Sequence, residues 1–306
     1  MNRRKTAAVI SGGGSLGACT VGTLKALNKN YDLVAGVSTG ALMAPLVALS
    51  DWDRLITAYT SVTQDDIFSY NPFKPDGKIN VKKALFRLLA GKPTLGETQA
   101  MRATVDKFLF PSDFSRLREL GKEAIVAAQE TRWHPARVHY FSSLYYSQSD
   151  FADWMCASAN APGVTSIIKK PAVDGRPGEW VDAGLTELLS LKKVIELGAG
   201  QVDVFIHRVR PEIRDRGAIT DFFHNAARLF SIMRAEIEND DLAGGIREAQ
   251  INNVDVTVYY LPYKLADNSL IFDKKQMSQW VTLGMETAQD PARRDSYQFS
   301  QQLVNA

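Results

Sequence analysis

The 306-residue chain is long enough to bury a large core, and its 45% hydrophobic and 23% charged residues are those of a folded globular protein, not a disordered one. Its 36 basic and 34 acidic residues leave a net charge of +2, too even for nucleic acid to be the main partner. Only two cysteines occur, Cys19 and Cys156, without a C-x-x-C spacing, so no disulfide framework is implied and both read as buried thiols in a reducing compartment. The first residues, MNRRKTAAVISGGG, are basic, but their apolar run breaks at Ser11. That is too short for a secretory signal or for a spanning helix of about 20 apolar residues. The expected location is the cytoplasm, with any membrane contact peripheral.

In chain order, residues 6–11 (TAAVIS) read as a buried strand running into a glycine loop, and residues 18–29 carry apolar residues at helical spacing. Residues 32–37 (DLVAGV) form a second buried strand, and residues 40–49 (GALMAPLVAL) a helix that Pro45 should kink. From 65 to 110 the prolines and glycines predict a loop-rich segment with one short helix over 81–90. Further strands are expected over 123–128, 138–142, 202–209 and 254–261, and helices near 150–159, 217–238 and 274–288. There is no internal repeat and no break in composition. The alternation argues for one α/β domain over residues 1–306, with a mainly parallel central sheet flanked by helices.

Gly36-Val37-Ser38-Thr39-Gly40 is a G-x-S-x-G placed between an apolar strand and a helix. A serine on so tight a turn projects its hydroxyl away from the sheet, while Gly36 and Gly40 let the two backbones approach. Ser38 is therefore the candidate nucleophile. Upstream, Gly12, Gly13 and Gly14 precede a helix, where backbone N–H groups can hold an anion. Acyl transfer needs such donors for its oxyanion. The same loop fits a dinucleotide pattern through Gly12, Gly14 and Gly17, with Asp32 about twenty residues on from Gly12. That rival is weaker, because the ribose-binding acid should close the second strand and Asp32 opens it.

The glycine loop and the serine turn together resemble the patatin-like phospholipase family, in which a G-G-G-x-R/K-G loop is followed by G-x-S-x-G. Two later blocks resemble it as well: Ala157-Ser158-Ala159-Asn160-Ala161-Pro162, and Val181-Asp182-Ala183-Gly184-Leu185. The four blocks lie within residues 11–185, and residues 186–306 complete the fold. The resemblance implies a lipid acyl-ester hydrolase of phospholipase A, lysophospholipase or esterase type. Ser38 would attack with Asp182 as its base, the amides of Gly12, Gly13 and Gly14 would form the oxyanion hole, and the reaction would pass through an acyl-enzyme. No metal or organic cofactor is implied, and the partner is a lipid or other acyl ester. Asn160 and Pro162 would shape the backbone beside the site. Two positions depart from the family: Leu16 stands where the loop carries a basic residue, and Ala183 where the aspartate block carries glycine. With Leu16 there, either the substrate is a neutral ester or another residue holds the head group.

The sequence also admits other readings. Ser38 and Asp182 with His207 or His224 would give a Ser-Asp-His order, although a lone histidine on a strand is more often a core residue; His134 and His139 complete the set of four. Asp182 alone would read as a helix cap before the apolar run 185–191. A lipid-binding or scaffold protein with a relic site is the non-enzymatic alternative. Residues 68–73, the basic amphipathic stretch 82–89, and Phe222-Phe223 are candidates for lipid contact.

Overall fold

The computed structural model describes residues 4–132, 135–172, 174–210, 218–219 and 222–300. Strand β1 (Lys5–Ile10) is a run of small apolar residues, buried over its last four positions. A single 3-10 turn leads into α1 (Gly17–Leu27), then β2 (Leu33–Gly36), which is buried throughout. Helix α2 (Thr39–Ala48) runs on through Pro45 and is almost wholly buried. It is followed by α3 (Trp52–Ser61), α4 (Gln64–Ile67), α5 (Val81–Leu89), α6 (Gln99–Phe108) and α7 (Pro111–Glu119).

Segment 65–110 is thus more helical than its prolines and glycines predict. The buried side of α6 is Met101, Thr104 and Val105, and that of α7 is Asp113, Phe114 and Leu117. Each stripe includes a polar residue, which blurs the apolar periodicity.

The second half comprises β3 (Glu123–Glu130), β4 (Arg137–Ser142), α8 (Gln148–Ser158), β5 (Ile168–Pro171), β6 (Pro177–Asp182), α9 (Leu191–Glu196), β7 (Ala199–Val209), α10 (Phe222–Ile251), β8 (Asp255–Leu261), α11 (Lys274–Glu286) and β9 (Arg294–Tyr297). The β5–β6 hairpin is absent from the sequence expectations. Pro171 and Pro177 form the last pair before its turn, and β5 alternates half-buried with exposed residues, the pattern of an edge. Helix α10 extends well past the expected 238 because Gly244 and Gly245 do not end it. A Cβ on Gly245 would meet the Leu191 side chain at 2.5 Å, so the glycines there let α9 pack against α10.

The nine strands of the described residues form one sheet in the order β5-β6-β3-β2-β1-β7-β8-β9, with β4 also pairing β3. The central five, β3-β2-β1-β7-β8, are parallel, as expected. The flanking strands β4, β5, β6 and β9 run antiparallel. Alternation along β1 divides the core. Ala8 and Ile10 face a layer that includes α1, α2, α8 and α11, while Ala7 and Val9 face α9 and the C-terminal part of α10. Both cysteines are buried and unpaired, and burial pushes their thiols up to about 11 for Cys19 and about 12 for Cys156. Among the described residues no helix is long and apolar enough to cross a membrane.

The glycines of the serine turn are required by contact. A Cβ on Gly36 would lie 2.2 Å from the carbonyl atoms of Gly40, and one on Gly40 would lie 2.2 Å from the Ile10 oxygen. Helix α2 therefore rests backbone to backbone on the end of β1. Gly40→Ala is expected to cost roughly 3 kcal/mol or more in denaturant unfolding. An unchanged midpoint would show that α2 can back away from β1.

Candidate active site

The chain leaves β1 for β2 on one side and returns to β7 on the other, so β1 is the point where the sheet changes direction. Ligands of open α/β sheets bind beyond the carboxyl ends of the strands at such a point. The glycine loop follows β1 there, and Ser38 follows β2. Ser38 has φ 57° and ψ −122°, a left-handed φ outside the usual wells that costs a non-glycine residue roughly 1–3 kcal/mol. Its N–H donates to Ser158 Oγ at 3.0 Å, which holds the turn from α8.

Register brings the carboxylate to the serine. Gly36 pairs with Val126 of β3, and Asp182 pairs with Ala128 on the same strand. Strand β4 pairs continuously with 125–130 and so occupies one edge of β3. Strands β2 and β6 must share the other edge, β6 running the other way and ending where β2 stops. Ser38, two residues past Gly36, therefore meets Asp182 at the level of Ala128. The Ser38 side chain lies beside the Asp182 carboxylate, close enough for its hydroxyl to lower the carboxyl's proton affinity, and the two residues are 9% and 4% exposed.

Asp182 Oδ1 also accepts from Gly184 N–H at 2.8 Å, and Asp182 N–H donates to the Asn160 carbonyl at 2.9 Å. Burial raises the Asp182 pKa, and the nearby charge of Arg234, the Ser38 hydroxyl and the Gly184 amide oppose that rise. The capping role read for Asp182 is real, since it opens a 3-10 turn over Ala183–Leu185, and it coexists with the contact to Ser38. The apolar run 185–191 is not a helix; α9 starts only at Leu191. Ala183 needs no left-handed φ and packs with Val37, Ala127 and Leu188, so alanine is accommodated there.

Among the described residues the N–H groups of Gly12, Gly13 and Gly14 donate to no protein acceptor, whereas Ser15 N–H is taken by the Ser269 carbonyl at 2.8 Å. The three glycine amides are thus uncommitted beside the serine. His207 lies beneath the loop. Its Nδ1 is 3.1 Å from Ser11 Oγ and its Nε2 is 3.0 Å from Thr20 Oγ1, so both ring nitrogens are engaged away from Ser38. Burial lowers its pKa to about 4, which leaves it a neutral core residue at pH 7. This corrects the triad reading for His207. His224 bonds Arg228 within α10, and His139 packs edge-on against Trp180. His134 lies outside the described residues.

The dinucleotide alternative is also corrected. Asp32 accepts from Thr6 N–H at 2.8 Å, at the opposite end of β1 from the glycine loop, so it cannot bridge to a phosphate held there.

From Ser38 a cavity runs along α2 past Leu42 to Leu46, about 12 Å at 1.5 Å per residue, walled chiefly by apolar side chains such as Leu55, Phe68, Met101 and Met155. Phe68 and Phe73 are therefore interior residues and not a lipid-facing surface. The side chains of Phe222 and Phe223 lie outside the described residues. Sequence reading missed Ser158 as the support of the turn, although it lies within a recognised block. It also missed Arg234, for which no local signal exists.

The sequence profile of the family described as patatin-like phospholipase matches residues 8–195. No curated protein matches the chain in sequence. Among solved structures, human GIVD cytosolic phospholipase A2 is similar with a TM-score of 0.41 at 11% identity, over 78% of this chain and 47% of that one. VipD from Legionella pneumophila is similar with a TM-score of 0.39 at 16% identity, over 96% of this chain and 68% of that one. The chain thus spans about half the length of the human enzyme.

Asp182→Asn keeps an acceptor for Gly184 and removes a buried charge. Because burial raises the folded pKa above the unfolded one, the ionised carboxylate costs its full stability above the folded value, and the cost falls away as pH drops from there to the unfolded value. The variant is expected to melt at or above the wild-type temperature at pH 8. The gap should narrow as pH falls toward the ordinary carboxylate range near pH 4. A variant that melts well below wild type at pH 8 would mean that the ionised carboxylate stabilises the fold.

Proposed function

The chain belongs to the patatin-like phospholipase family, and on that premise we propose that it hydrolyses lipid acyl esters with Ser38 as nucleophile and Asp182 as base. The observation that carries this reading is Ser38, on a strained turn at the head of an apolar cavity, set beside the buried Asp182 carboxylate by the register of β2 and β6 on β3. In the proposed reaction Ser38 Oγ attacks the ester carbonyl while its proton passes to Asp182, whose raised proton affinity suits a base. The oxyanion takes donors from the Gly12, Gly13 and Gly14 amides. The intermediate collapses to an acyl-Ser38 ester, and the departing alkoxide takes the proton from Asp182. Water then attacks the acyl-enzyme, again with Asp182 as base, and the acid leaves. The apolar cavity supplies the acyl site. We take residues 1–306 as one hydrolase domain, because β7, β8 and β9 extend the sheet that carries the dyad.

Ser38→Ala and Asp182→Asn should each reduce ester hydrolysis on the order of 10³-fold or more, and the double variant should be little worse than either. A fluorophosphonate probe should label Ser38 in wild type, as peptide mapping would reveal. His207→Gln should retain turnover within about tenfold. Loss of turnover in a folded His207→Gln protein would replace the dyad by a histidine-assisted mechanism.

Peripheral lipid contact belongs to the same reading and rests on α5. Leu85, Phe86, Leu88 and Leu89 are 54%, 68%, 58% and 80% exposed, beside the exposed Lys82 and Lys83. The double variant Phe86→Glu, Leu89→Glu should bind vesicles of mixed phosphatidylcholine and phosphatidylserine at least about tenfold more weakly. Its hydrolysis of a soluble monomeric ester should remain at the wild-type rate. Equal vesicle binding by both proteins would remove α5 from the membrane contact.

A further inference from the structure

Resting on the proposed hydrolase reading, we propose that Arg234 of α10 is the anion-recognition residue of this site and binds a phosphate carried by the lipid substrate. A Cβ placed on Gly12 would meet Arg234 Nη2 at 2.9 Å, Ser38 Cβ at 2.9 Å and Leu188 Cδ2 at 3.0 Å. Arg234 Nη2 and Ser38 Cβ thus lie against one point of the glycine loop, no further from each other than twice that distance.

Helix α10 is pinned there. Asp241 Oδ2 accepts from the amides of Leu188 and Leu189 at 2.6 and 3.1 Å, and Glu238 Oε2 accepts from Arg208 Nε at 2.8 Å. The titratable groups that feel the Arg234 charge are Asp182 on β6, His207 on β7 and Glu238 one turn along α10. Yet among the described residues Arg234 makes no salt bridge and no hydrogen bond, although it is half-buried. A partly desolvated guanidinium with its donor fork unspent is matched in shape and charge to a phosphate.

Position 16 cannot take this role. Leu16 packs against the larger core cluster. Helix α10 also decides between a lipid and a free anion. Leu229, Ile232 and Met233, immediately before Arg234, are 52%, 52% and 51% exposed, which sets an apolar surface beside the cation. Arg234 lies beyond residues 8–195, so this cation is not part of the matched family segment.

The test compares dihexanoyl phosphatidic acid with 1,2-dihexanoylglycerol, both monomeric, using the full chain. Rates are read at pH 8, above the acid limb that loss of the cation would move upward through Asp182. Wild type should prefer the phosphate-bearing ester. Arg234→Gln should lower the ratio of the two kcat/KM values about 10- to 100-fold, mainly through the KM of phosphatidic acid. Arg234→Lys should recover part of that loss. If Arg234→Gln melts early, Arg234→Met, which keeps the aliphatic stem, takes its place.

In Ser38→Ala protein, phosphatidic acid should bind much more tightly than inorganic phosphate, and Arg234→Gln should weaken both. Equal affinities for the two would overturn the lipid assignment in favour of free phosphate. A ratio unchanged in a folded Arg234→Gln protein would overturn the proposal outright. If wild type cleaves neither ester while phosphatidic acid binding still depends on Arg234, the hydrolase reading fails and the anion site stands.

Discussion

The shared edge of β3 is the constraint on which the site depends. A strand has two edges, and β4 takes one of them along 125–130. The other is divided: β2 uses it as far as Val126, and β6 takes it up at Ala128. Only because β2 stops can its chain turn out of the sheet at Ser38, and only because β6, running the other way, ends there does a carboxylate arrive at the same level. The turn is possible because Gly36 and Gly40 allow α2 to sit on the backbone of β1. Block 157–162 then fastens both halves, through Ser158 to the serine amide and through the Asn160 carbonyl to the aspartate amide.

The electrostatics follow from that closure. Sealing Asp182 between β3, α8 and the glycine loop removes water from the carboxylate, so its charge is costly and its proton affinity rises. The hydroxyl that opposes this rise belongs to Ser38, the residue held in a strained φ. Beneath the loop the same dryness has the opposite effect on His207, which is kept neutral and used as a hydrogen-bonding spacer between Ser11 and Thr20. A neutral histidine under the loop leaves Arg234 as the nearby positive charge that opposes the rise in the Asp182 pKa.

Legibility in the sequence tracks locality. The Ser38 turn is local: strand, glycines and helix are contiguous, and their order could be read directly. The parallel core was legible for the same reason, since each buried strand is an apolar run. Asp182 was reached only through the family resemblance, because its place depends on β6 pairing end-on with a strand some fifty residues earlier, and β6 has little but Trp180 and Val181 to mark it as buried. Helices α6 and α7 hid behind Thr104 and Asp113 on their buried faces. Helix α10 hid its length behind Gly244 and Gly245. Nothing in the local sequence of that helix says which arginine will turn toward a loop more than two hundred residues away.

That last dependence separates two tasks within one site. The parts that would make and break the ester bond, Ser38, Asp182 and the glycine amides, fall within residues 8–195 and are fixed by main-chain contacts that tolerate little change. The cation beside them comes from α10, whose side chains reach the loop across an interface and are anchored by Asp241 and Glu238. A basic residue at position 16 would tie charge recognition to the loop that also presents the oxyanion donors. With leucine there, the loop packs into the core, and in the proposed reading the charge that would face a substrate comes from α10. Head-group choice and bond cleavage would then rest on different elements of the fold, joined at Gly12.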